Sequence, residues 1–143
     1  MILSIALGIL LAIVTIAIHA VSSSYLIGVL RNHAASFQAR FGELKALVLT
    51  AVWLLVTHIL ETGVWAIAYW YVVGGEKFPS FDDAAYFSTV TFSTLGYGDI
   101  VIEGHWRMLS ACQAMTGLLV FGWSTALLFA VVERIWKRKL EEG

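Results

Sequence analysis

Cysteine, proline and charge are all scarce in this chain. It holds one cysteine and one proline in 143 residues, and only 13% of its residues are charged. The lone Cys112 has no intrachain partner for a disulfide, and within an apolar run it reads as a small packing residue. The single proline, Pro79, falls in "GGEKFPS", where it joins two glycines to interrupt the chain. No apolar run carries a ladder of arginines, which excludes a voltage sensor of the usual kind. The formal net charge of -1 conceals a spatial asymmetry, and nucleic-acid binding is not suggested.

What the chain does have is apolar length. Hydrophobic residues make up 59% of it, beyond the roughly half-apolar composition of soluble domains. Three runs exceed the approximately 20 residues that a spanning helix needs: Ile2 to about Leu30, Ala46 to Val73, and about Trp106 to Trp136. Between the second and third lies "FDDAAYFSTVTF", whose helix would reach only about 18 Å and so enters a bilayer without crossing it. Ser80, three residues before Asp83, predicts a capping box at its start, and two acids suit the positive end of the helix dipole. The expected fold is an all-α membrane protein with three transmembrane helices and a re-entrant half-helix. Irregular backbone following that half-helix is tolerated at membrane depth only where it is buried in protein or lines a wet cavity.

Lys and Arg set the expected orientation. Arg31, Arg40 and Lys45 occupy the first loop, and Arg134, Lys137, Arg138 and Lys139 end the third run, which makes these the cytoplasmic sides. The stretch from Gly74 to Arg107 then faces outward, with Glu76, Asp82, Asp83, Asp99 and Glu103 against Lys77 and Arg107. The N-terminus is expected outside and the C-terminus inside a plasma membrane crossed several times. Trp70, Trp106 and Trp136 fit interfacial aromatic belts. The first run lacks the basic segment of a cleaved signal peptide, and its removal would invert the charge pattern.

The irregular stretch is "TFSTLGYGDI", Thr91 to Ile100. Gly96 and Gly98 permit backbone conformations that let successive carbonyls point to one side. A row of carbonyls replaces water around a bare cation, but one chain offers too few oxygens, so several copies around an axis are called for. The half-helix directs its negative end towards the entrance, and the outward acids concentrate cations.

"TLGYGD", Thr94 to Asp99, after a Ser/Thr-rich half-helix and between two spanning runs, resembles the selectivity filter of the potassium channel pore-domain family. The resemblance covers about Ala46 to Trp136. It implies a homotetramer whose chains each give an outer helix, pore helix, filter and inner helix. By that likeness the carbonyls of Thr94, Leu95, Gly96 and Tyr97, with the Thr94 hydroxyl, bind potassium ions, and no organic cofactor is implied. Gly98 and Asp99 support the filter, Asp99 by bonding behind it. Leu95 stands where Val or Ile is usual, and Val90 stands where many members carry a pore-helix Glu.

That last departure draws attention to Glu61, an ionisable residue within the second run. It follows His58 by three residues on the same helical face. One reading turns Glu61 towards the pore helix near the filter with His58 adjusting its charge; the other has a protonated Glu61 holding two helices together. His19, His33 and His105 read as ordinary polar residues. A metal site of a helical-bundle oxidoreductase is disfavoured, because the His-x-x-Glu order is reversed and no other acid lies within the membrane interior of the spans.

On the inner helix, Gly117 lies near the family's hinge position and Gly122 is a second candidate; both read equally as small residues for close helix packing, the reading preferred for Gly122. Phe121, Ser124 and Leu128 are expected to line the cavity below the filter. The domain organisation is therefore an N-terminal helix over 1–30, a basic linker over 31–45, a pore domain over 46–136 and a tail over 137–143. That tail is too short for a ligand-binding domain, which leaves gating to the filter, the inner helix, membrane lipids or a separate regulatory subunit. The expected function is passive potassium conduction rather than an enzymatic reaction. A weakly selective cation channel and the pore-forming part of a coupled potassium transporter are the alternatives.

Overall fold

The computed structural model describes residues 1–33 and 42–142. Arg40 and the rest of 34–41, most of the expected basic linker, lie outside the described residues, as does the side chain of Arg138. The described residues form four α-helices: α1 (Ile2–Asn32), α2 (Gly42–Val72), α3 (Phe81–Phe92) and α4 (Arg107–Glu142). Single turns of 3-10 helix at Gly75–Lys77 and Gly104–Trp106 flank the connection that contains α3. Three helical stretches, over 2–32, 42–72 and 104–137, are long and apolar enough to cross a membrane. The 12-residue α3 is not, so the all-α membrane architecture with a half-helix is the one found.

Local chemistry starts α3 where the sequence places it. The Asp83 amide donates to Ser80 Oγ at 3.2 Å and the Ser80 amide donates to Asp83 Oδ2 at 3.2 Å, a reciprocal capping box that satisfies amides otherwise orphaned at the helix start. α2 begins four residues before the apolar run does, and α4 continues past it through the basic end of the chain. Helix propagation costs little once packing has fixed the earlier turns.

α1 and α2 pack antiparallel, with Thr15 opposite Trp65, His19 opposite Glu61, and Ser22 opposite Thr57 and Trp53. α1 and α4 run parallel, with Gly8 against Cys112 and His19 near Ser124. α3 wedges between α2 and α4. The buried stripe of α1 is Ser4, Gly8, Leu11, Thr15, His19, Ser23 and Leu26, which recurs at helical spacing and is mostly small or polar. That composition suits a bilayer, where burying apolar groups between helices drives little and close backbone approach with hydrogen bonds drives association. A Cβ on Gly8 would stand 2.7 Å from Cys112 Cβ, so the α1–α4 contact requires glycine there. Cys112 itself is buried, packed in a cluster with Leu109, Trp65, Tyr69, Phe78 and Phe87.

Candidate pore filter and the polar cluster beside it

α3 ends at Phe92, and the chain turns immediately. The Leu95 and Gly96 amides both donate to the Val90 carbonyl, at 3.1 and 3.2 Å, and the Thr94 amide donates to Thr91 O at 3.0 Å. The turn needs left-handed backbone: φ is +60° at Thr94, +56° at Gly96 and +78° at Gly98. Glycine takes that region freely, whereas a β-branched residue rarely does, so Thr94 is the strained position of the stretch. Among the described residues, none of the carbonyls of Thr94, Leu95, Gly96 and Tyr97 accepts a hydrogen bond from the chain. The Thr94 hydroxyl and all six residues from Thr94 to Asp99 are exposed on the single chain.

Two sets of contacts hold this turn in place. Beyond it, the Tyr86 hydroxyl of α3 donates to Asp99 Oδ2 at 2.7 Å, tying the far end of the stretch back to the half-helix. That bond pulls the Asp99 carboxyl below its ordinary range and raises the Tyr86 phenol above its own. Behind it, Gln113 of α4 donates from Nε2 to Ser88 Oγ at 2.7 Å and to Ser88 O at 3.2 Å. Gln113 Oε1 accepts from the Tyr69 hydroxyl of α2 at 2.8 Å, and the Ser88 hydroxyl donates to Thr62 O at 2.7 Å. Ser88, Gln113 and Tyr69 are fully buried, and together they lock α3 between α2 and α4. Below, Gly117 lies against the end of α3, where a Cβ would stand 2.0 Å from the Phe92 carbonyl oxygen.

Glu61 does not reach α3. Its Oε1 accepts from His19 Nδ1 at 2.9 Å and its Oε2 from His58 Nδ1 at 2.9 Å, so both carboxylate oxygens are taken. The expectation of Glu61 beside the filter is thus corrected, and Ser88, Gln113 and Tyr69 hold the half-helix instead. His19, read from sequence as an ordinary polar residue, is fully buried on Glu61. The other faces of both imidazoles converge on Ser124 of α4, whose Oγ lies 3.0 Å from His58 Nε2 and 3.4 Å from His19 Nε2. The holding role extends to three helices rather than two.

The inner-helix expectations shift accordingly. Ser124 turns into the chain's own bundle rather than towards a cavity, because the histidines are the polar partners within its reach. Phe121 is half-buried with its ring centroid 4.4 Å from that of His58, and Leu128 is half-buried too. Leu118, Gly122, Thr125 and Phe129 form the open face of α4 instead. Gly117, not Gly122, is the glycine of close approach within the chain, since nothing lies within 4 Å of a Cβ at Gly122. His33 and His105 are exposed, as ordinary polar residues are.

Two antiparallel spanning helices bracketing a half-helix and an irregular turn define a pore-loop membrane protein, one that crosses the bilayer several times. A family model described as "Ion channel" matches residues 47–134, which takes in most of α2, α3, the turn and most of α4, and the chain belongs to that family. No curated protein and no solved structure matches the chain significantly.

Proposed function

We propose that this ion channel is a potassium-selective one, a homotetramer in which Thr94, Leu95, Gly96 and Tyr97 of each chain present their carbonyls to ions on a shared axis. The observation that carries the reading is the row of unpartnered carbonyls. At membrane depth an unpaired backbone oxygen costs several kcal/mol. Four consecutive acceptors in a membrane protein therefore call for a partner from outside the chain, and a dehydrated cation is one that needs many oxygens at once. The Leu95 and Gly96 amides are engaged with Val90 O.

In the mechanism, cations gather at an acidic outer mouth, exchange water for carbonyls in single file, and leave as the next ion arrives. The half-helix directs its negative C-terminal end at the inner entrance and adds stabilisation without a full charge. Potassium rather than sodium rests on the sequence "TLGYG" and its likeness to the potassium filter. With the Lys and Arg ends of α4 in the cytoplasm of a plasma membrane, the turn faces outward. Reversal potentials of purified channel in liposomes, under opposed potassium and sodium gradients, test the reading. The expected potential follows the potassium gradient; comparable permeability to the two ions would identify a weakly selective cation channel, and flux at carrier rates a transporter subunit.

A further inference from the structure

We propose that His19, His58 and Glu61 form an intramembrane binding site for a zinc-class divalent metal ion, one that fastens α1 to the pore-forming helices. The proposal is independent of which ion the pore conducts.

The donor set is that of a transition-metal site. One ligand atom from each residue lies within 4.8 Å of the other two. Around a four-coordinate ion with bonds of about 2.0–2.2 Å, ligand atoms lie about 3.4 Å apart, so closing the site takes a contraction of up to about 1.4 Å. Two imidazoles and a carboxylate suit zinc and its neighbours; magnesium, calcium and potassium are served by oxygen-only sites. Three protein ligands leave a fourth position for water. His19 and Glu61 are sealed, and the 10% exposure of the His58 side chain is the way in among the three.

Ser124 supplies the second observation. Two neutral histidines that both donate Nδ1–H to Glu61 present two Nε2 lone pairs to one hydroxyl, which has one proton to give. One of the two acceptors then goes without a proton to accept, unless the pair of rings carries an extra one. With an ion on the two Nδ1 atoms, each ring carries its proton on Nε2 instead, and the Ser124 oxygen accepts both with its two lone pairs. Metal-bound histidines usually donate their second N–H in this way, which fixes tautomer and ring orientation. The two rings are stacked, 5.5 Å apart at their centroids.

Ligands from α1, α2 and a supporting hydroxyl from α4 make the ion a clasp between the N-terminal helix and the inner helix. Trp123 packs on His19 at 5.3 Å and Phe121 on His58 at 4.4 Å, so both rings are walled by the inner helix.

The test is equilibrium dialysis of chelator-stripped, detergent-purified channel against zinc, with metal counted by mass spectrometry, and the visible spectrum of the cobalt-loaded protein. One zinc per chain and the intense cobalt bands of a four-coordinate site are expected. Glu61→Gln and His19→Gln should each abolish stoichiometric binding, and Ser124→Ala should weaken it by roughly 10-fold, as loss of a supporting hydrogen bond does. His33→Gln and His105→Gln should leave binding unchanged. Should the ligand variants fail to assemble, the cobalt spectrum of the unmutated channel still decides, because weak six-coordinate bands would overturn the proposal. Absence of stoichiometric zinc would overturn it too, and would identify a ring held by a shared proton. So would zinc that follows His33 or His105.

Discussion

Gly117 shows how little room the inner helix leaves at the end of the half-helix. Any side chain there must push against the Phe92 carbonyl, which is backbone and cannot swing away. Gly117→Ala is expected to cost about 1–3 kcal/mol, the range for overpacking a filled site, and to lower the temperature at which the purified assembly dissociates. Gly122→Ala, with open space around it, should change that temperature little. A second single-residue expectation concerns Tyr86 and Asp99. Because the phenol bonds the charged carboxylate, its contribution is complete above the ordinary carboxylate range and disappears as pH falls through the lowered Asp99 value. Conduction should therefore tolerate mild acid and fall only in strong acid. In Tyr86→Phe the acid limb of the flux–pH curve should move to higher pH, and an unmoved limb would show that the bond does not govern it.

Among the elements, α3 was the easiest to read in advance, since a capping box and a length too short to span are both local properties. The Gln113–Ser88–Tyr69 tie was not legible, because it joins three segments whose relative rotation follows from packing. Tyr69→Phe is expected to leave Gln113 Oε1 without a donor in a sealed interior, at about 1–3 kcal/mol. The loss should appear as reduced thermal stability, with α3 less firmly held. The place of His19 was half-legible. An imidazole in the middle of an apolar run is as costly as an intramembrane acid is suspicious, and residues equally far from the turn of a helical hairpin face one another. His19 and Glu61 pair in the same antiparallel register as Thr15 and Trp65. What pattern alone could not supply was the rotation of each helix, and the same gap put Ser124 on the wrong face of α4.

At the scale of the whole molecule, the two ends of the pore unit are joined by an ion pair, Lys139 Nζ to Glu43 Oε2 at 2.8 Å, between the start of α2 and the end of α4. Both side chains are partly exposed, so the pair is worth no more than about 1 kcal/mol and weakens with salt. A double-mutant cycle on Lys139→Ala and Glu43→Ala, read by assembly stability, should return a coupling within that limit. A larger value would mean that the pair is shielded in the assembled channel. The class of protein was legible because apolar length and the "TLGYGD" turn are read directly from residue order. The arrangement of α1 was not, because its buried stripe of small and polar residues follows no motif.

The seat of Cys112 beneath Gly8 has a practical side. The native thiol is buried against a backbone that cannot yield, so probes that attack accessible thiols should pass it by. Reporter cysteines introduced one at a time at Leu118, Thr125 or Phe129 can then be labelled without first replacing it, which makes the unmodified chain its own blank for mapping water access along α4.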